Sequence, residues 1–127
     1  MTTTVFTKYR GKKEFLLVYS ELINGARRRG TLTYQEVAEL MGLPPRGSHM
    51  GVEAGHLLGE ISEDEHLNGR PMLSAIAVST SGMPGSGFFE LARRLGKITD
   101  TSADAQRRFW EKEKEAVYAT WQKDFKE

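Results

Sequence analysis

The sequence contains no cysteine, and this absence excludes disulfide bonds, thiolate metal ligands and a cysteine nucleophile. It also lacks any apolar run approaching the roughly 20 residues that a membrane-spanning helix needs. Its first residues lack the apolar stretch of a secretory signal. With three histidines and no nucleophile-elbow motif, the chain offers little to catalysis. We therefore expect a cytoplasmic protein that spans no membrane, binds no cofactor or metal and is not an enzyme.

The chain carries little excess charge of either sign, because 18 Lys and Arg residues and 17 Asp and Glu residues leave a net charge of +1. A global attraction to phosphate is therefore excluded, and nucleic-acid binding has to come from local patches. The densest patch is Arg27, Arg28 and Arg29, at the end of a predicted helix. A solvated helix end explains these arginines about as well as nucleic-acid binding does.

What the sequence does contain indicates a single α+β domain, residues 1–127, that is mostly helical. Its 127 residues and 39% hydrophobic content suit one packed core. Apolar residues at helical spacing and capping signatures predict helices, and one β-rich run predicts a strand. The predicted elements are helices over residues 12–26, 33–42, 48–61, 88–95 and 102–126, a helical turn beginning at residues 62–65, a strand within residues 71–80, and a glycine-rich turn over residues 82–87.

The start of the helix predicted for residues 48–61 is a candidate anion site. Ser48 is placed to cap this helix, and Arg46 and His49 flank it. Free amide groups and the helix dipole favour a phosphate at such a position. The alternative is a solvated loop.

The same helix has a face of small residues that recur every four positions, formed by Gly51, Gly55 and Gly59. A glycine inside a helix costs roughly 1 kcal/mol relative to alanine. Two explanations are open. Either this bare face packs tightly on a neighbouring helix, or another backbone, of protein or nucleic acid, approaches it closely.

Acidic residues are frequent along and after this helix. The group formed by His56, Glu60, residues 63–65 and His66 matches no familiar spacing of helical metal ligands. Residues 63–65 are better interpreted as the negatively charged first turn of a helix. Glu53 and Glu60 lie on the helix predicted for residues 48–61, and their negative charge disfavours binding of that helix to DNA.

Residues 31–87 carry a recognisable order of elements: TLTYQEVAELMG, a turn, the glycine-rich helix GVEAGHLLGEI, a strand that starts at a proline (RPMLSAIAV), and a glycine-rich turn. This order resembles the DNA-binding domain of alkylguanine-DNA alkyltransferases and alkyltransferase-like proteins. In that family a Thr-Tyr helix start, an ARAVG-type recognition helix and a PCHRV-type strand follow one another.

The resemblance implies a winged helix-turn-helix core with flanking N- and C-terminal helices, in which residues 82–87 form the wing. It also places Tyr34 on the helix that the family lays against the DNA backbone. The hydroxyl group of Tyr34 then either contacts a phosphate or belongs to a half-buried tyrosine that packs beside the recognition helix.

The sequence departs from this family at the reactive centre. The family's Pro-Cys-His-Arg-Val motif is matched by PMLSA at residues 71–75, so methionine replaces the cysteine and the following histidine and arginine are missing. A thioether cannot form a thiolate, which excludes suicidal alkyl transfer. The arginine that enters the base stack in the family falls near Val52, so base flipping through an inserted arginine is not supported.

Together these patterns predict a non-enzymatic DNA-binding module that contacts mainly backbone phosphates, as a sensor or adaptor in DNA repair or in bacterial or phage defence. One alternative is a protein-interaction subunit that has lost DNA binding and contacts its partner through Trp110, Val117 and Trp121. A weaker alternative is an accessory domain of a nuclease or hydrolase. Phe88, Phe89, Trp110 and Trp121 could stack on bases, although aromatic residues at helical spacing more often belong to a core.

Overall fold

In the computed structural model, which describes residues 4–44 and 47–122, the chain is mostly helical with one small sheet. The predicted α+β composition with a helical majority is confirmed. In chain order the elements are α1 (Lys13–Arg27), β1 (Leu32–Thr33), α2 (Tyr34–Leu40), α3 (Ser48–Leu67), a 3-10 turn (Leu73–Ile76), β2 (Ala77–Val78), α4 (Ser86–Arg94) and α5 (Ala103–Trp121).

The first two helices lie close to their predicted positions, and α2 begins at the predicted capping box. The hydroxyl group of Thr33 accepts a hydrogen bond from the N–H of Glu36 (3.1 Å), and the carboxylate of Glu36 accepts one from the N–H of Thr33 (2.8 Å). Each interaction satisfies a donor that the helix start would otherwise leave free. Gly42 follows the helix with a φ of 79°, which suits glycine.

The third helix is longer than predicted, since it continues to Leu67 instead of ending at residue 61. The separate helical turn predicted at residues 62–65 is therefore wrong. Ser62 is buried inside α3, and its hydroxyl group donates to the hydroxyl of Ser74 (2.6 Å) rather than capping a helix. The N-cap of α3 is Gly47, with a φ of 91°, so the prediction that Ser48 caps this helix is also wrong.

The strand predicted within residues 71–80 is much shorter in the structure. Leu73–Ile76 form one turn of 3-10 helix, and only Ala77–Val78 form a strand. That strand pairs in parallel with β1, with Leu32 opposite Ala77 and Thr33 opposite Val78. The apolar run that predicts a strand is here a central buried segment, residues 72–78, on which the helices pack.

Side chains of the surrounding helices bind main-chain groups of the central segment. These groups therefore do not need a longer sheet to satisfy them. The N–H of Met72 donates to the carboxylate of Glu113 on α5 (2.8 Å). The carbonyl of Ala75 accepts from the indole N–H of Trp110 (2.9 Å). Buried main-chain groups require a partner, but that partner can be a side chain as well as a neighbouring strand.

The residues after β2 lead into a helix rather than into a hairpin. The N–H of Ser79 donates to the carbonyl of Met83 (2.9 Å) and closes a turn, after which α4 begins at Ser86. The one sheet among the described residues is parallel, so a hairpin wing at residues 82–87 is not formed there.

The aromatic stripe of α5 belongs largely to the core. Trp110 and Val117 are buried, and Trp121 is half-buried with the guanidinium of Arg70 5.6 Å from its ring centre. The prediction of a partner surface through Trp110, Val117 and Trp121 is therefore wrong for the first two residues, whose side chains are inaccessible. Phe88 and Phe89 are buried as well. The last helix, predicted to residue 126, ends at Trp121 within the described residues.

The N-terminal segment, residues 4–10, is held against α3 by buried carboxylates. Glu60, which is fully buried, accepts hydrogen bonds from the N–H groups of Lys8 (3.2 Å), Tyr9 (2.9 Å) and Arg10 (2.9 Å). An ionised carboxylate accepts such bonds more strongly than a neutral group does. Glu60 therefore ties a segment of irregular backbone to the middle of the helix.

Glu63 extends the same arrangement one turn further along α3. Its carboxylate accepts from the N–H groups of Thr4 and Val5 and from the guanidinium of Arg10, which also contacts Asp64 (3.0 Å). Burial alone would raise the pKa of Glu63, but these donors outweigh burial and hold the pKa below its ordinary value. Residues 63–65 thus lie inside α3 and bind donors, and the prediction that they form a helix start is wrong.

We predict that Glu60→Ala lowers the free energy of unfolding by about 3–5 kcal/mol, because it leaves the main-chain N–H groups of Lys8, Tyr9 and Arg10 without their acceptor. Urea denaturation measures this change. The matched control is Glu39→Ala, which removes an exposed glutamate from α2 and is expected to change the same quantity by less than about 0.5 kcal/mol. Equal effects of the two substitutions would contradict the structural role of Glu60.

Candidate nucleic-acid interface

A groove of about 550 Å³ runs along the glycine face of α3. Its walls come from α2, α4 and the central segment. The lining residues are Tyr34, Gly51, Val52, Gly55, Leu58, Gly59, Ser74, Gly85, Ser86, Gly87, Phe88 and Leu91. None of these carries a formal charge, so the groove offers main-chain and hydroxyl groups on a largely apolar surface.

The floor of the groove exists because two glycines of α3 are not covered by another element. A Cβ atom built on Gly51 or Gly55 would meet nothing within 4 Å, whereas one on Gly59 would lie 3.9 Å from Val5 and Leu91. Tight packing on a neighbouring helix, the first explanation for these glycines, is therefore wrong for Gly51 and Gly55. Close approach of another backbone stays a prediction.

The start of α4 forms one wall of the groove. Gly85 is its N-cap and supplies no side-chain cap, while Ser86 and Gly87 in the first turn are exposed. The first N–H groups of a helix have no partner within it, and together with the helix dipole they favour negative charge. This wall was missed from sequence, although the glycine-rich turn at residues 82–87 marked its position.

Tyr34 joins α2 to that wall. Its hydroxyl oxygen accepts a hydrogen bond from the N–H of Gly85 (2.5 Å), and a Cβ built on Gly85 would lie 3.4 Å from the same oxygen. Burial raises the pKa of the Tyr34 hydroxyl, opposed in part by the N–H of Gly85. The hydroxyl group therefore keeps its proton, and among the described residues that proton has no acceptor. Tyr34 is half-buried and also lines the groove, so both of its predicted roles are compatible with its position.

The predicted cluster of Arg27, Arg28 and Arg29 is not part of the groove lining. Arg27 and Arg28 are exposed at the end of α1. Arg29 is bound to α5, since its guanidinium lies 2.6 Å from the carboxylate of Glu115 and 4.8 Å from the ring centre of Tyr118. The structure thus brings the arginine cluster to the α1–α5 contact and not to the glycine face.

The other predicted phosphate contacts lie at the start of α3. Ser48 is its first residue, and His49 follows it with an exposed side chain. Arg46 lies outside the described residues. A cation that sequence analysis did not select is Arg107 on α5, whose guanidinium is 3.7 Å from the sulfur of Met83 in the turn that leads towards α4.

Glu53, Glu60 and Glu63 of α3 bind the N-terminal segment and do not line the groove, whereas Glu65 binds Arg70 and the hydroxyl group of Tyr19. Glu53 accepts from the hydroxyl of Tyr9 and pairs with the ammonium of Lys8 (2.7 Å), while Glu60 and Glu63 bind main-chain N–H groups. The Lys8 and Tyr9 side chains hold the pKa of Glu53 below its ordinary value. The two acidic residues that counted against DNA binding, Glu53 and Glu60, are therefore compensated within the chain.

Comparison of the chain with protein-family models, with curated protein sequences and with solved structures gave no match in any of the three. Within residues 4–44 and 47–122, no helix has both the length and the apolar character needed to cross a membrane. The same described ranges hold no group of three or more His, Asp or Glu side chains arranged around a metal-sized space.

We predict that Gly55→Ala raises the free energy of unfolding by about 1 kcal/mol, because the added methyl group meets open space and alanine favours the helix. The matched control is Gly25→Ala in α1, where the new Cβ would lie 3.0 Å from Leu32 and 3.6 Å from Ile76. That crowding offsets the helical preference, so no gain is expected there. Urea denaturation of both variants decides whether the floor of the groove is open.

Proposed function

We propose that this chain is a non-enzymatic DNA-binding module that docks the glycine face of α3 on the DNA backbone. The observation that carries the proposal is the uncovered floor at Gly51 and Gly55, since helix-interior glycines that destabilise a helix and fill no packing role point to a need for close approach. The order of elements in residues 31–87, which resembles the DNA-binding domain of alkylguanine-DNA alkyltransferases and alkyltransferase-like proteins, supports it. A role as sensor or adaptor in DNA repair or in bacterial or phage defence fits that resemblance.

The groove offers two kinds of phosphate contact, and a third lies outside its lining. Within the groove, the hydroxyl proton of Tyr34 is free to donate and the first turn of α4 presents the N–H groups of Ser86 and Gly87. Outside it, His49 stands exposed at the start of α3. Contacts of this type fix the register of a protein on DNA without reading its sequence. The uncharged lining limits the electrostatic contribution, so the proposal implies modest and salt-sensitive affinity.

The placement of charge on α3 also supports the proposal. A helix with several carboxylates facing the phosphates would be repelled from DNA. Here the carboxylates of Glu53, Glu60 and Glu63 are buried beneath the N-terminal segment and bound to Lys8, Arg10 and main-chain N–H groups. The glycine face is therefore the uncharged side of an otherwise acidic helix.

A second candidate function is that of a protein-interaction subunit. The observation in its favour is a pair of exposed leucines on α1, Leu16 and Leu17, where Leu16 is 66% exposed. Exposed apolar side chains on one helix are a common feature of protein contacts. This candidate expects no DNA binding and a partner that covers α1.

We predict that the protein binds a short labelled duplex and that log affinity falls with log salt with a slope of about −3, from three or four phosphate contacts. Gly55→Leu is expected to weaken this binding at least about tenfold, because the new side chain fills the floor of the groove. Fluorescence anisotropy at two salt concentrations measures both quantities.

Ser20→Leu is the matched control, since it adds the same side chain at an exposed position of α1 outside the groove. It is expected to leave the affinity unchanged. Absence of binding by the wild-type protein even at low salt would overturn the DNA proposal and favour the interaction subunit. Equal weakening by both leucines would show that DNA binds elsewhere.

We also predict that Tyr34→Phe weakens duplex binding by about 0.5–1.5 kcal/mol, the usual contribution of a neutral hydrogen bond. The salt slope should stay the same, because no charge is removed. The same anisotropy titration tests this, and a thermal unfolding curve shows how far loss of the Gly85 contact destabilises the fold. Unchanged affinity would exclude a phosphate contact by this hydroxyl group.

A further inference from the structure

Phe6 is the most exposed large apolar side chain among the described residues, with 69% of its surface accessible. The other aromatic residues considered for base stacking are buried or half-buried in the packed helices. Nothing in the pattern TTTVFTKYR separates Phe6 from an ordinary terminal residue, so its exposure is not predictable from the sequence.

The ring of Phe6 is held in place although it is exposed. The centre of the ring lies 4.4 Å from the ring centre of His56 on α3, and the main-chain carbonyl oxygen of Phe6 is 3.0 Å from Nε2 of the same histidine. On either side of it, the N–H groups of Val5 and Lys8 donate to the buried carboxylates of Glu63 and Glu60. The N-terminal segment thus presents a fixed aromatic ring, and little conformational entropy is lost when something stacks on it.

The segment that carries Phe6 borders the groove at Gly59. Val5, its neighbour in the chain, lies 3.9 Å from the position of a Cβ atom on Gly59, which lines the groove. His56, whose ring contacts that of Phe6, stands between the groove residues Gly55 and Gly59 in the sequence of α3.

Three lysines, Lys8, Lys12 and Lys13, follow Phe6 within seven residues of the chain. Two of them approach the ring of Tyr9, whose centre lies 6.4 Å from the ring centre of His56. Lys8 and Lys12 place their ammonium groups 5.7 Å and 6.0 Å from the ring centre of Tyr9, and Lys12 and Lys13 are exposed. Lys8 is paired with Glu53, whereas for Lys12 and Lys13 no ion pair forms among the described residues. An aromatic platform beside cations matches the chemistry of a DNA strand, which offers bases to stack and phosphates to neutralise.

We infer that Phe6 is a stacking platform for an unpaired nucleobase and that Lys12 and Lys13 contact the adjacent phosphates. The inference rests on the proposed DNA-binding function and extends it from duplex backbone contacts to single-stranded or locally opened DNA. The N-terminal segment is then a second part of the interface, continuous with the groove.

The test compares Phe6→Ala with the wild-type full-length protein in binding a fluorescein-labelled oligothymidylate, measured by anisotropy. Phe6→Ala is expected to weaken binding at least about fivefold, since stacking of one base contributes roughly 1–3 kcal/mol, with an unchanged salt slope. Phe6→Trp, which keeps a stacking surface, should bind at least as tightly as the wild type. Lys12→Ala should make the salt slope shallower by about 0.7.

Leu16→Ala is the control for loss of an equally exposed apolar side chain on α1, and it should leave binding unchanged. Unchanged binding by Phe6→Ala, or a Phe6→Trp variant as weak as Phe6→Ala, would overturn the inference. If the wild type binds duplex but not oligothymidylate, this inference fails while the proposed function stands. If the wild type binds neither, both fail.

Discussion

The fold depends on two carboxylates of α3, Glu60 and Glu63, which are buried and satisfied by main-chain N–H groups of the N-terminal segment. Glu60 and Glu63 together bind five of these groups, from Thr4, Val5, Lys8, Tyr9 and Arg10. A buried charge is costly unless it is paired and hydrogen-bonded, so the segment and the carboxylates require each other. One side of α3 therefore binds the N-terminal segment.

The glycine face is the neighbouring side of α3, and it meets the N-terminal segment at Gly59. With Glu53, Glu60 and Glu63 bound to the N-terminal segment, the glycine face borders a groove whose described lining residues carry no formal charge. The bond between Tyr34 and Gly85 sets the start of α4 beside that face. The composition of α3 suggests a helix too acidic to bind DNA. Its glycine face nevertheless carries no charged side chain among the described residues that line the groove.

The central segment shows the same use of side chains in place of regular structure. Residues 72–78 are buried, yet only two of them form a strand. Glu113 and Trp110 from α5 and Ser62 from α3 satisfy main-chain groups of this segment. Because these partners also fix the two helices, the segment ties α3 to α5 and places Ser74 at the wall of the groove.

Local signals in the sequence determined the helices and some of their ends. The capping box of Thr33 and Glu36 and the apolar spacing of α1, α4 and α5 involve neighbours within a few residues, so they survive into the structure. The regular spacing of Gly51, Gly55 and Gly59 likewise predicts a helix face without side chains. Tertiary structure alone decided what could not be seen locally. It decided that the run at residues 71–80 is a buried segment, that Ser62 and Glu63 lie within a helix, and that the acidic residues face the N-terminus. It also decided that Phe6 is exposed while Trp110 is buried. Each of these depends on a partner tens of residues away in the chain, and spacing in the sequence carries no record of such a partner.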